Sequence, residues 1–255
     1  MSLQSLFNTL KSQNDIALIV YTTAGFPDWT SFMTNLSIIA ESGADLIEIG
    51  VPFSDPIADG PVIQYASQVA LENKAYFNKI IQSIHPITKR CPMVLMSYLN
   101  PLIVYGKRKI FKEAKEAGFS GFIIPDLPVE EVSIWNRLAL LYDLDLILLV
   151  APTSSASRIR IIGECSGGFI YCVSVTGTTG TRKTLPKGVK PFLRQVKKLT
   201  HKPVAVGFGI SDSRQIRELR DCVDGVIVGS RIIEAIHRKE NLRDLIRTMK
   251  SATML

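Results

Sequence analysis

Short apolar runs recur along the chain with amphipathic stretches between them. The runs occupy residues 17–21, 46–49, 93–96, 121–124, 146–150, 169–173, 204–206 and 225–228. They are continuous rather than alternating, which marks strands buried on both faces, as in parallel sheets covered by helices. The segments 29–42, 107–117, 129–142 and 211–220 carry apolar residues at helical spacing and are long enough to serve as crossover helices. Eight strand–helix units in 255 residues, with no linker or shift in composition, predict an α/β protein, a single (β/α)8 TIM barrel domain spanning 1–255. An open doubly wound sheet is the competing architecture. It calls for a Gly-rich turn after the first strand, and here that strand runs into Tyr21-Thr22-Thr23-Ala24-Gly25-Phe26-Pro27.

At the N-terminus Leu3, Leu6, Phe7 and Leu10 fall on one helical face, predicting a short amphipathic helix rather than a signal peptide. No apolar run reaches the roughly 18 residues of a membrane span, so a soluble chain without membrane contact is expected. A hydrophobic content of 46% supports a sizeable core. The formal charge of +7 raises the possibility of a nucleic-acid partner, but Lys and Arg are scattered over the helices rather than gathered into a tract. A solvated basic surface is the reading, with no nucleic acid expected, and its field favours an anionic small substrate. Cys91, Cys165, Cys172 and Cys222 form no C-x-x-C pair, which suits a reducing cytoplasm.

In a barrel the chemistry sits at the C-terminal ends of the strands. The second run ends in Glu48-Ile49-Gly50-Val51-Pro52-Phe53-Ser54-Asp55-Pro56-Ile57-Ala58-Asp59-Gly60-Pro61. Pleat alternation puts Leu46 and Glu48 on one face of the strand and Ile47 and Ile49 on the other. If Leu46 points inward, Glu48 stands in the barrel mouth. Desolvation there raises a carboxyl above about 4.3, into the range useful for proton transfer. An ion pair capping the barrel is the alternative for Glu48. Asp55 and Asp59 lie on a loop stiffened by Pro52, Pro56 and Pro61; for Asp59 a turn or helix-cap role competes.

The seventh run leads into Val206-Gly207-Phe208-Gly209-Ile210-Ser211, and the eighth into Val228-Gly229-Ser230 before a helix. Loops at these two positions bind phosphate in many barrels, through close backbone approach and a helix N-terminus. After the sixth run, residues 174–183 are polar and rich in Gly and Thr, the composition of a lid. No strand end offers a Lys for a Schiff base, and His85, His201 and His237 are not arranged to ligate a catalytic metal, so no metal is expected. The residues alone therefore predict an acid/base lyase or isomerase acting on a small phosphorylated substrate.

The stretch 48–64 closely resembles the signature of the tryptophan synthase α subunit family. The resemblance continues through Met96-Ser97-Tyr98-Leu99-Asn100-Pro101, Pro125-Asp126-Leu127-Pro128, Tyr171, Gly177-Thr178-Thr179-Gly180 and 206–211. It implies a lyase of tryptophan biosynthesis that splits indole-3-glycerol phosphate into indole and glyceraldehyde 3-phosphate. By matching position, Glu48 is implied as the acid/base, Asp59 as acceptor for the indole N–H, and Tyr171 as a residue that places Glu48. Gly180, Gly209, Gly229 and Ser230 are implied for phosphate; Tyr21, Met96 and Phe208 for the indole pocket; Asp55 and Thr179 for lid closure and partner signalling. The implied partner is a β subunit in an αββα heterotetramer. Pyridoxal phosphate belongs to that partner, and no cofactor is implied in this chain. Two departures stand out: Tyr21 replaces a frequent Phe, and Thr178 a frequent Val. Another phosphate-binding barrel enzyme of aromatic amino acid biosynthesis, or a non-catalytic activator of a β subunit, are the alternatives.

Overall fold

The computed structural model describes residues 2–88, 90–173, 185, 187–207 and 209–254. Thr179, Gly180 and Phe208 therefore lie outside the described residues. Eight parallel strands close into a barrel in chain order: β1 (Ala17–Thr23), β2 (Leu46–Gly50), β3 (Met93–Met96), β4 (Gly121–Ile123), β5 (Asp145–Val150), β6 (Ile170–Val173), β7 (Val204–Gly207) and β8 (Gly225–Val228). The ring closes where Ala17 to Val20 of β1 pair with Gly225 to Val228 of β8. Each strand lies within two or three residues of its apolar run, because burial on both faces is what writes such runs.

Around the strands lie α1 (Leu3–Ser12), α2 (Trp29–Glu41), α3 (Pro61–Glu72), α4 (Phe77–Thr88), α5 (Leu99–Tyr105), α6 (Lys107–Glu116), α7 (Val132–Leu141), α8 (Ala156–Cys165), α9 (Val189–Leu199), α10 (Ser213–Leu219), α11 (Ser230–His237) and α12 (Leu242–Ser251). Several of them start where a side chain accepts an orphan N–H group. Asp28 caps α2 through Ser31 N at 2.9 Å, Ser155 caps α8, and Asp212 with Gln215 forms a capping box on α10. The expected helix over 129–142 is broken: Val129–Glu131 is a 3₁₀ turn after Pro128, and the α-helix begins at Val132.

Two apolar clusters fill the molecule. Between barrel and helices lie the outward positions, Ile47, Ile49, Phe111 and Phe122 among them; the Phe111 and Phe122 rings stack with centroids 4.4 Å apart. Inside the barrel lie Ala17, Ile19, Leu46, Val94, Ile123, Ile147, Phe169, Ala205 and Ile227. Leu3, Leu6, Phe7 and Leu10 of α1 join this inner cluster, with the Phe7 ring 5.4 Å from that of Phe169. The predicted amphipathic helix is thus a plug in the barrel floor.

At the same end, carboxylates tie the starts of the strands. Asp45 accepts Leu18 N at 2.7 Å and receives Lys250 Nζ from α12 at 2.8 Å; Asp224 accepts Val204 N and Lys197 Nζ, both at 2.8 Å. The floor is built for cohesion, which leaves the mouth for chemistry. Phe122→Ala removes a fully buried ring and its stacking partner. It is expected to cost about 3–5 kcal/mol, read as a lowered urea midpoint with an unchanged m-value.

Candidate active site

The inward positions above the floor form the site. On successive strands they are Tyr21, Glu48, Met96, Ile123, Leu149, Tyr171 and Ile227, with Val173, Gly229 and Ser230 higher up. Together with Ala58, Asp59, Ile63, Pro125 and Gly209 they enclose about 610 Å³ of empty space that opens to solvent at the mouth. Leu46 lies in the inner cluster and Ile47 and Ile49 in the outer one, so the pleat places Glu48 inside as the sequence predicted.

Glu48 is 0% exposed, and neither carboxyl oxygen is hydrogen-bonded by a described residue. Among the described residues no ion pair reaches it, so none of them supports the capping-pair alternative. Burial, and secondly the negative field of Asp59, pushes its pKa up to about 8. At neutral pH the group is a protonated acid.

Asp59 is 5% exposed. It does not cap α3, whose N-cap is Gly60 with Pro61 in the first turn. Its backbone is pinned on both sides: Asp59 N donates to Pro56 O at 3.0 Å, and Gln64 Nε2 donates to Asp59 O at 2.8 Å. Tyr98 Oη donates to Asp59 Oδ2 at 3.1 Å. Burial raises this carboxyl to about 6, with the Tyr98 bond holding it back. The two carboxyls therefore differ at neutral pH, one protonated and one ionised, a separation typical of acid/base sites.

Two tyrosines flank Glu48. Tyr21 from β1 is buried and its Oη lies 3.2 Å from Thr23 Oγ1, which supplies the partner a buried phenol needs. A Cβ at Gly50 would stand 2.2 Å from Tyr21 Oη, and one at Gly207 2.6 Å from Tyr171 Oη. These glycines give the rings room to lie across the barrel mouth. Desolvation, followed by the charges of Glu48 and Asp59, raises the Tyr171 phenol well above its ordinary value. Tyr171 is half-buried beside Glu48, yet no hydrogen bond joins the two.

Across the cavity, Gly209 adopts φ +69°, which favours glycine, and Ser230 opens α11 with Gly229 as its N-cap. Ile232 N and Ile233 N fold back onto Gly229 O, and Gly229 and Ser230 line the cavity, so the start of α11 lies at its wall. A helix N-terminus so placed can receive an anion. Asp55 is separate from the cavity: it is exposed, and its carboxylate takes a hydrogen bond from Ser54 Oγ. Among the described residues no group of three or more His, Cys, Asp or Glu could hold a metal.

With this geometry in place, likeness to known proteins becomes informative. Residues 7–254 match the profile of the family described as tryptophan synthase alpha chain. The chain belongs to that family. A tryptophan synthase alpha chain of Carboxydothermus hydrogenoformans is 46% identical over 253 residues, covering 95% of this chain and 94% of the relative. One of Arabidopsis thaliana is 40% identical over 244 residues, 94% and 89% of the two chains. Among solved structures, a tryptophan synthase of Mycobacterium tuberculosis superposes with a TM-score of 0.92 at 34% identity, over 99% of this chain and 98% of that one.

Sequence reasoning missed Tyr98, Gly50 and Thr23. Tyr98 sits in the quoted Met96–Pro101 motif but shows its role only once β2 and β3 lie side by side. Gly50 is silent because its partner, Tyr21, is on another strand.

The folded protein holds a proton on Glu48 between about 4.5 and about 8 that an unfolded chain releases. Stability from this group is complete below that window and is lost as pH rises through it. Glu48→Gln removes the slope, so the melting temperature of the variant should rise relative to the parent from pH 5 to pH 8, ending higher by about 2 °C or more. Parallel pH profiles of the two proteins would show that the buried carboxyl is compensated.

Proposed function

We propose that this chain cleaves indole-3-glycerol phosphate to indole and glyceraldehyde 3-phosphate as the α subunit of a tryptophan synthase. The observation that carries the reading is the protonated Glu48, without a partner among the described residues, sharing with the ionised Asp59 a cavity that a helix N-terminus also lines.

The reaction needs a proton delivered to the indole C3 and another removed from the adjacent glycerol hydroxyl. Glu48 does both in turn. As the acid it protonates C3, leaving positive charge at the indole nitrogen. As the resulting carboxylate it takes the hydroxyl proton, the C3–carbon bond breaks, its electrons return to the ring, and Glu48 is protonated again. Asp59 accepts the indole N–H, a bond that strengthens as the nitrogen becomes positive and so favours the transition state over the substrate. Gly209, Gly229 and Ser230 hold the phosphate, joined by Gly180. Tyr21, Met96 and Phe208 line the ring, and Tyr171 limits the positions open to Glu48. Protein carboxyls supply the acid and base, so the cleavage calls for no cofactor in this chain; pyridoxal phosphate is assigned to the partner.

The partner is a β subunit in an αββα assembly. Exposed apolar side chains on the loop after β2 and on α5 support this: Ile57 is 77% exposed, Ile103 52% and Val104 79%. Asp55, Thr179 and the loop 174–189 are assigned to signalling with that partner. The thiols of Cys91, Cys165, Cys172 and Cys222 are free, in keeping with the cytoplasm, and no helix among the described residues is long and apolar enough to cross a membrane.

Indole release from indole-3-glycerol phosphate, assayed with and without a β subunit, tests the reading; no turnover in either condition refutes it. Glu48→Gln is expected to lower kcat by about 10²- to 10⁴-fold with substrate affinity largely kept, and Asp59→Asn by about 10²- to 10³-fold. In the parent, kcat/KM should follow a bell. Its acid limb falls near about 6, where Asp59 gains a proton, and its alkaline limb near about 8, where Glu48 loses one.

A further inference from the structure

Tyr98 lies between β3 and α5, where it is the N-cap of α5 without capping it by its side chain. Its ring is 3% exposed and packs on Phe53 with centroids 5.3 Å apart. The main chain after it is fixed as well, since Leu99 N donates to Asp126 Oδ1 at 2.9 Å. Its hydroxyl meets two groups of the loop that follows β2. Ala58 N donates to Tyr98 Oη at 3.0 Å, and Tyr98 Oη stands 3.1 Å from Asp59 Oδ2. A backbone N–H can only donate, so the phenol spends its acceptor capacity on Ala58 and its single proton on Asp59. One hydroxyl thereby fixes both the loop backbone and the carboxylate it carries.

Resting on the function proposed above, we propose that Tyr98 is the positioning residue that holds Asp59 as an anion with Oδ2 committed, so that an arriving N–H meets Oδ1. A hydrogen bond donated to a carboxylate favours its charged form. Among the described residues, the other titratable groups near Asp59 are acids or neutral phenols. Glu48 on β2 is an acid in the same cavity, Tyr21 on β1 and Tyr171 on β6 are phenols, and Asp126 adds a negative charge near Tyr98. Burial acts on both carboxyls of the site, yet Asp59 has a donor among the described residues and Glu48 has none. Tyr98 thus adds to the difference in burial between the two acids, favouring the proton on Glu48 and the charge on Asp59.

The test is Tyr98→Phe, which keeps the ring and its packing on Phe53 and removes only the hydroxyl. The Asp59 carboxyl is followed directly by carbon-13 NMR of protein labelled at the aspartate side-chain carbonyls, its resonance assigned by its loss in Asp59→Asn. The midpoint is expected to move up by about one pH unit or more in Tyr98→Phe. In the cleavage assay the acid limb of kcat/KM should move with it, and kcat at pH 7 should fall more than KM changes. A second variant, Phe53→Leu, leaves the hydroxyl in place but loosens the ring, and a smaller shift in the same direction is expected. An unmoved Asp59 midpoint in both variants overturns the proposal, as does a loss of activity with the acid limb unchanged. Should the midpoint move in a protein that does not cleave indole-3-glycerol phosphate, the role of Tyr98 stands and the lyase reading falls.

Discussion

A carboxyl group placed in an apolar barrel with no partner among the described residues is the constraint around which this site is organised. Left in water Glu48 would be ionised; at the end of β2 it is closed in by Tyr21, Met96 and Tyr171, and the cheapest state available to it is the neutral one. That state has to be protected. A salt bridge or a donor would restore the charge, so the fold surrounds the group with aliphatic side chains and two phenols that carry no charge of their own. The rigidity of the barrel keeps them there, since each comes from a different strand held by its neighbours on both sides.

The division of labour between floor and mouth follows from the same requirement. Ion pairs and backbone acceptors such as Asp45 and Asp224 are spent at the N-terminal ends of the strands, where charge stabilises and no proton has to move. The apolar plug of α1 closes that end. At the other end the polar groups are few and set by short-range contacts: Thr23 for Tyr21, Gln64 for the Asp59 backbone, Gly50 and Gly207 for the tyrosine rings.

Much of this was legible in the chain because burial leaves a periodic trace. The eight strands, the helix at residues 3–12 and the inward face of Glu48 all follow from which positions are apolar and at what spacing. The glycines and the helix start after the seventh and eighth strands were legible for a different reason, since they are a local signal. Contacts between distant segments leave no such trace. Nothing in Met96-Ser97-Tyr98 tells that the phenol reaches residues 58 and 59. Nor does Pro128-Val129-Glu130 tell that three residues will turn as 3₁₀ before α7. Likewise Asp59 could not be told from a helix cap until Gly60 was seen to take that place.

The order of the strands around the ring also has a consequence for how the cavity empties. Met96, Ile123 and Leu149 come from β3, β4 and β5, whereas Gly209, Gly229 and Ser230 follow β7 and β8, on the far side of a closed ring. The two walls therefore have opposite affinities for water. Once the bond between them is cut, an apolar ring and a phosphorylated fragment no longer share a preference: hydration draws the ionic fragment toward the open rim, while the ring gains nothing by leaving its oily wall. On the proposed function, cleavage alone is then enough to set the two fragments on separate routes, the apolar one keeping to its wall.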